Sequence, residues 1–304
     1  MRTLKQFALV FGTGYIFVYF SEHLFWARVR PDDSLKNWVS VWIAYSLMAF
    51  VFLHIVGKFH VREKWSLFLA AAVFGWLAEG VIVQTTYEML PLSISFTGLA
   101  WHALITVWIG WYAARRALTS PASLSTFGRF AAIGLLYSLW AIAWWLEPDG
   151  GISTLGEFSS FILTITALVA LAYALVNWGS SEPFAPNVWV TRLVYAAFLA
   201  YFAFVTVSAA PISLLVLPLL LGLSYYGLHR HRPAEETASL TAALRGRIHP
   251  INYLALFALP LTAIAFYAFA LALNLQWHTN WILYLITTPL GFVLFGFAIF
   301  KKRA

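Results

Sequence analysis

A succession of long apolar runs constrains this chain more than any other feature. A helix needs roughly 20 mostly apolar residues, at about 1.5 Å rise each, to cross the hydrocarbon of a bilayer. Ten stretches qualify: 7–27, 38–57, 65–84, 92–113, 127–146, 158–178, 190–209, 211–228, 251–273 and 280–300. The eighth is the weakest, because it is short and only Ala209-Ala210-Pro211 parts it from the seventh. Merging those two would change every later orientation.

Composition leads to the same place. Of 304 residues, 62% are hydrophobic and 10% charged, with a mean hydropathy of +0.78. Soluble domains run near half apolar and about a quarter charged. Lipid must therefore solvate much of this surface. A disordered chain, a collagen, an ordinary nucleic-acid enzyme and a disulfide scaffold are excluded. There is no cysteine, which removes disulfides, thiolate metal sites, covalent haem attachment and a Cys nucleophile.

The formal charge of +7 reads as basic loops held against the cytoplasmic leaflet rather than as a nucleic-acid surface. With the N-terminus inside, ten spans place 16 of the 19 Lys and Arg on the cytoplasmic side and only Arg28, Arg30 and Lys36 outside. That split follows the positive-inside rule. The first apolar run exceeds a signal-peptide core of roughly 7–15 residues and lacks a small-x-small cleavage site, so it reads as an uncleaved span. The expectation is an all-α, polytopic bundle of about ten transmembrane helices in the cell membrane, both termini cytoplasmic. It forms one transmembrane domain over 1–304, with a short interfacial helix around 233–247.

Fifteen tryptophans follow an interface pattern in part. Trp26, Trp38, Trp65, Trp111, Trp144, Trp145, Trp178, Trp189, Trp277 and Trp281 suit an aromatic belt. Trp42, Trp76, Trp101, Trp108 and Trp140 fall deeper, where they pack a core or line an apolar cavity.

Ionisable groups inside spans are expensive and therefore functional candidates. Glu79 lies roughly 20 Å along the third span, where a carboxylate must pair, bind a metal or stay protonated. His102 sits near the middle of the fourth span, on a small polar stripe of Ser95, Gly98, His102, Thr106 and Gly110. Such a stripe faces protein rather than lipid. The third and fourth spans share a short loop, so Glu79 and His102 meet at compatible depths. Tyr87 and Glu88 sit in the loop that follows Glu79, with Thr85 and Thr86 reading as an ordinary turn. If the third helix ran on, Tyr87 would share the face of Glu79 and Glu88 would oppose it.

Glu22 and His23 end the first span at the outer boundary. Arg28 and Arg30 beside a lipid surface suit a phosphate, or are saturated by Asp32 and Asp33. Tyr137, Trp140, Trp144 and Glu147 share a face of the fifth span. His54 lies at the cytoplasmic end of the second, far from Glu79. No HExxH, no Gly-rich phosphate loop with Lys, and no adjacent glutamate pair within a span is present. The pattern of intramembrane proteases of the prenyl-protein-processing type is thus missing, and no family is assigned.

Three functional classes follow. The first is an enzyme working on a lipid-like or isoprenoid-like substrate through an outward-opening site. There Glu79 and His102 are the acid/base pair or Glu79 is a metal ligand; Tyr87 and Glu88 assist. Glu22, His23, Arg28, Arg30, Trp101, Trp140 and Glu147 bind substrate. The second is a proton-coupled small-molecule transporter. The third is a non-catalytic subunit that docks a membrane-protein partner. Membrane lipids surround the chain in all three; nothing in the sequence names a cofactor.

Overall fold

The computed structural model describes residues 1–30, 33–148, 150–232 and 246–301. Helices occupy each of the ten apolar stretches. They are α1 (Arg2–Trp26), α2 (Leu35–Lys58), α3 (Lys64–Ile82), α4 (Leu92–Leu118), α5 (Ser123–Leu146), α6 (Leu155–Gly179), α7 (Val188–Ala209), α8 (Ser213–His231), α9 (Pro250–Ala272) and α10 (Thr279–Phe300). No strand occurs among the described residues. Nine of the helices, all but α8, are long and apolar enough to cross a membrane. The architecture is that of a multi-pass membrane protein.

The seventh and eighth runs are two helices, because Ala210 leaves helical geometry at φ −142° and Pro211 cannot continue the ladder. The 19-residue α8 ends in His229, Arg230 and His231, which lower its apolar character. Of the interfacial helix expected around 233–247, residues 233–245 lie outside the described residues, and Gly246 and Arg247 are not helical.

α3 is the hub, with 78% of its apolar window buried against 11% for α7. It packs on α2, α4, α8 and α10, while α1 packs on α2, α4 and α6, and α5 on α9. In lipid, apolar surface gives little drive for helices to associate, so close approach of backbones and interhelical hydrogen bonds must supply it. Gly75 of α3 lies directly on the Gly98 carbonyl of α4, and a Cβ on Gly75 would run into that oxygen. Gly98 in turn accommodates the Trp76 indole. This crossing draws together the two helices that carry Glu79 and His102. The whole stripe of Ser95, Gly98, His102, Thr106 and Gly110 is buried.

One end of the bundle is basic. Cations there lie over aromatic rings, with Lys64 and Lys301 at 4.9 and 5.2 Å from the Trp65 ring, Arg192 at 4.9 Å from Trp189 and Arg230 at 5.6 Å from Tyr226. The other end gathers the segments after α1, α3 and α5 and the start of α10, through Trp26 on Trp144 at 5.0 Å and Asn280 on Glu147 at 2.5 Å. Two tryptophans depart from expectation. Trp111 is not at an interface: it is 1% exposed and its indole reaches Thr13 of α1 at 3.3 Å. Trp108 is not deep: it donates to the carbonyl of Lys64 at the basic end.

Gly75→Val should lower stability by about 1–3 kcal/mol, as overpacking of tight cores does. Thermal unfolding in detergent measures it, and an unchanged midpoint would contradict the close crossing.

Candidate functional site

Three of the first four helices are locally widened where their polar residues sit. The turn Tyr19–His23 of α1 closes with an i→i+5 bond from Leu24 N–H to Tyr19 O. The turn Ala78–Ile82 of α3 does the same from Val83 to Ala78, at 3.1 Å. In α4 the π-helical stretch runs over Phe96–Ala114. Such turns add a residue to the coil and re-aim the side chains around it, and they recur at functional sites.

They bring a polar cluster together inside the bundle. His102 Nε2 lies 2.6 Å from Glu79 Oε1, and His102 Nδ1 lies 2.8 Å from Ser21 Oγ. Ser21 also contacts Thr106 Oγ1 at 2.8 Å. The Thr85 hydroxyl donates to the second oxygen of Glu79. Glu79 and His102 are buried, with residue exposures of 9% and 2%, and Ser21 is buried beside them at 4%. Next to this array Tyr45 of α2 donates to Glu22 Oε1 at 2.5 Å, while Trp26 donates to the other Glu22 oxygen at 3.2 Å. The Tyr45 ring packs on His102, with centroids 6.4 Å apart.

The imidazole is thus bonded through both nitrogens. With Glu79 ionised, Nε2 carries the proton and donates to the carboxylate, which leaves Nδ1 as an acceptor for the Ser21 hydroxyl. The sequence brought Glu79 and His102 together but missed Ser21, Tyr45 and the bond from Thr85. Tyr45-Ser46 is a polar pair in the middle of the largely apolar α2, which was a visible signal. Ser21 gives less: it is a small residue beside Glu22-His23, and its aim depends on a widened turn.

The remaining candidates lie around this array. α3 ends at Ile82, and Gln84 turns the chain back with φ 62°, so the helix does not run on to Tyr87. Tyr87 instead donates to Gly80 O at 2.7 Å. Burial pushes its phenol up to about 12, so it stays a neutral donor. Val81 O accepts from Thr206 of α7 at 2.8 Å and from Gln84 at 2.7 Å, and Ile82 O accepts from Gln84 at 2.8 Å. These bonds satisfy the carbonyls at the end of α3, as an apolar solvent demands. Glu88 is exposed at the loop surface.

His23 is buried within the protein. It lies between Tyr15, 3.5 Å from Nε2, and the Trp38 ring at 4.8 Å. Arg30 pairs with Asp33 at 3.1 Å and covers Trp26. Arg28 and Arg30 both line an open cavity of about 860 Å³ with Trp38, Ser153 and Phe161. Asp32 is outside the described residues. Trp101 donates to Phe20 O at 3.0 Å, and Trp140 and Trp144 both donate to Phe25 O at 2.6 and 2.7 Å. Trp101 thus meets a carbonyl of the widened turn, and the other two meet one at the end of α1. Glu147 bonds Asn280 and lines a separate cavity with Trp140. His54 pairs with Tyr195 of α7 at 3.0 Å, away from the array. Among the described residues, no group of three or more His, Asp or Glu is gathered to hold a metal.

No protein-family model, curated protein or solved structure matches the chain.

A double-mutant cycle of Glu79→Gln and His102→Gln should show coupling of about 1–3 kcal/mol in unfolding, since contacting buried polar groups are non-additive. Strictly additive effects would show that the two side chains do not meet. Nitrogen NMR of the imidazole provides a second check: His102 should be the Nε2–H tautomer, and Glu79→Gln should disturb it.

Proposed function

We propose that the protein is a membrane-embedded enzyme that cleaves or transfers an ester-linked acyl group of a lipid-like substrate, with Ser21 as nucleophile, His102 as base and Glu79 as its orienting carboxylate. One observation carries this reading: His102 bridges a serine hydroxyl and a buried carboxylate through its two different nitrogens. Nucleophile, base and orienting group define such sites by geometry and role, whatever the fold.

In the reaction, His102 Nδ1 takes the Ser21 proton as Oγ bonds to the substrate carbonyl carbon. Collapse of the tetrahedral intermediate breaks the ester C–O bond, and His102 gives the proton to the departing alcohol. Water, or a second alcohol, then attacks the acyl-serine, again losing its proton to His102, and Ser21 is regenerated. Glu79 stabilises the imidazolium at each stage. Thr106, at hydrogen-bond distance from Ser21, is the neighbouring hydroxyl donor for the developing oxyanion. The array is buried in this structure, so substrate admission needs a local opening of the bundle around it. Arg28 and Arg30, in the wall of the 860 Å³ cavity at the same end of the bundle, would hold an anionic head group. In this reading the chain is one transmembrane domain with ten spans, its basic end cytoplasmic and its site facing outward.

A second reading, a proton-coupled carrier, draws on the Glu22–Tyr45 pair beside the Glu79–His102–Ser21 line, an arrangement that suits a proton relay. The subunit reading is weaker, because the Glu79 carboxylate already bonds His102 and Thr85 within the chain.

A fluorophosphonate probe separates these readings. The enzyme should be labelled at Ser21, and Ser21→Ala should abolish labelling. Glu79→Gln and His102→Ala should slow it by roughly three to four orders of magnitude, with circular dichroism confirming that the helices persist. A protein that stays unlabelled at Ser21, yet moves protons in liposomes dependent on Glu79, would replace the enzyme by the carrier.

A further inference from the structure

A second cavity, distinct from the buried array, lies between the end of α1, α4, α5 and the start of α10. Its volume is about 480 Å³, within the range of small-molecule sites. Its wall is built from aromatic rings: Phe96, Trp140, Trp144, Trp281 and Tyr284. Its polar groups are few. Among the described residues Glu147 is the carboxylate in the wall, Asn280 is beside it, and neither Lys nor Arg lines the space.

The hydrogen bonds sharpen the picture. The indole N–H groups of Trp140 and Trp144 are both engaged by Phe25 O, so neither is left to donate to a ligand. Asn280 donates its amide N–H to Glu147 Oε1, which fixes the amide orientation; the reverse would set its oxygen against a carboxylate. The Asn280 Oδ1 so defined has no hydrogen-bond partner and is buried away from the cavity. Among the described residues the cavity therefore presents π-faces or ring edges and a carboxylate, and it lacks the cationic side chains an anion would seek.

We propose that this cavity binds an organic ammonium ion with an apolar tail, the ammonium placed between Glu147 and the aromatic wall. Cation–π attraction and the carboxylate recognise the charge, and the rings take the tail. An aminophospholipid head group and a free alkylamine share this chemistry. The assignment does not depend on Ser21 chemistry.

The test uses the full chain in nanodiscs of phosphatidylglycerol, which offers no ammonium. Butylammonium should produce a saturable change in tryptophan fluorescence, and uncharged butanol should not. Glu147→Gln should weaken the response at least about tenfold, the effect expected for losing a charge partner. Trp281→Leu should weaken it too, and since Trp281 is 60% exposed this variant spares the packing. Phosphatidylethanolamine in the discs then identifies the source. Loss of the butylammonium response means that the lipid head group fills the cavity, and an unaltered response means that a free amine does; either supports the site. No saturable response in phosphatidylglycerol discs, an equal response to butanol, or an unaltered response in Glu147→Gln would overturn it.

Discussion

A carboxylate in the interior of a membrane bundle is stable only with partners, and the Glu79–His102 contact supplies the first of them. Removing a charge from water costs several kcal/mol even after relaxation, and a single neighbour rarely offsets it. Here the carboxylate has two, with His102 on one oxygen and Thr85 on the other. Much of the local architecture serves that need. The Gly75–Gly98 crossing lets the two backbones come close. The widened turn at Ala78–Ile82 re-aims the glutamate, and the chain reversal at Gln84 returns Thr85 to it. Each widened turn disturbs backbone carbonyls that lipid cannot satisfy, so Tyr87, Gln84 and Thr206 close around the end of α3.

The positions of the helices were legible in the sequence because the spacing of apolar runs answers directly to bilayer thickness. The pairing of Glu79 with His102 was also legible, since a short loop makes α3 and α4 antiparallel neighbours and the stripe around His102 marks its protein-facing side. Ser21 and Thr85 were not. Their aim depends on i→i+5 turns and on a left-handed residue, Gln84, which leave no periodic trace in the sequence. Tyr87 was placed at the site on the premise of a continuous helix, which the reversal at Gln84 removes. Trp101 and Trp140 were read as core or cavity wall and Trp144 as part of an aromatic belt, yet their N–H groups bond carbonyls of α1. Composition identifies a tryptophan, but only the fold says which of its two characters is used.

Polar groups in the bundle thus divide by what they satisfy. Tyr87, Thr206 and the three indoles complete a backbone. Tyr45, Ser21 and Thr85 complete two carboxylates and an imidazole. Asn280 does half of such a task and leaves one atom unmet.

The weak seating of α7 has its own consequence. Only 11% of its apolar window is buried, and near its far end the Thr206 hydroxyl holds the Val81 carbonyl in the turn that contains Glu79. A helix so largely surrounded by acyl chains adjusts its tilt to the thickness of the leaflets around it. Thinner or thicker bilayers would therefore lever α7 against its few polar anchors, two of which, from Tyr201 and Thr206, hold the turn that contains Glu79, making the geometry there responsive to lipid chain length.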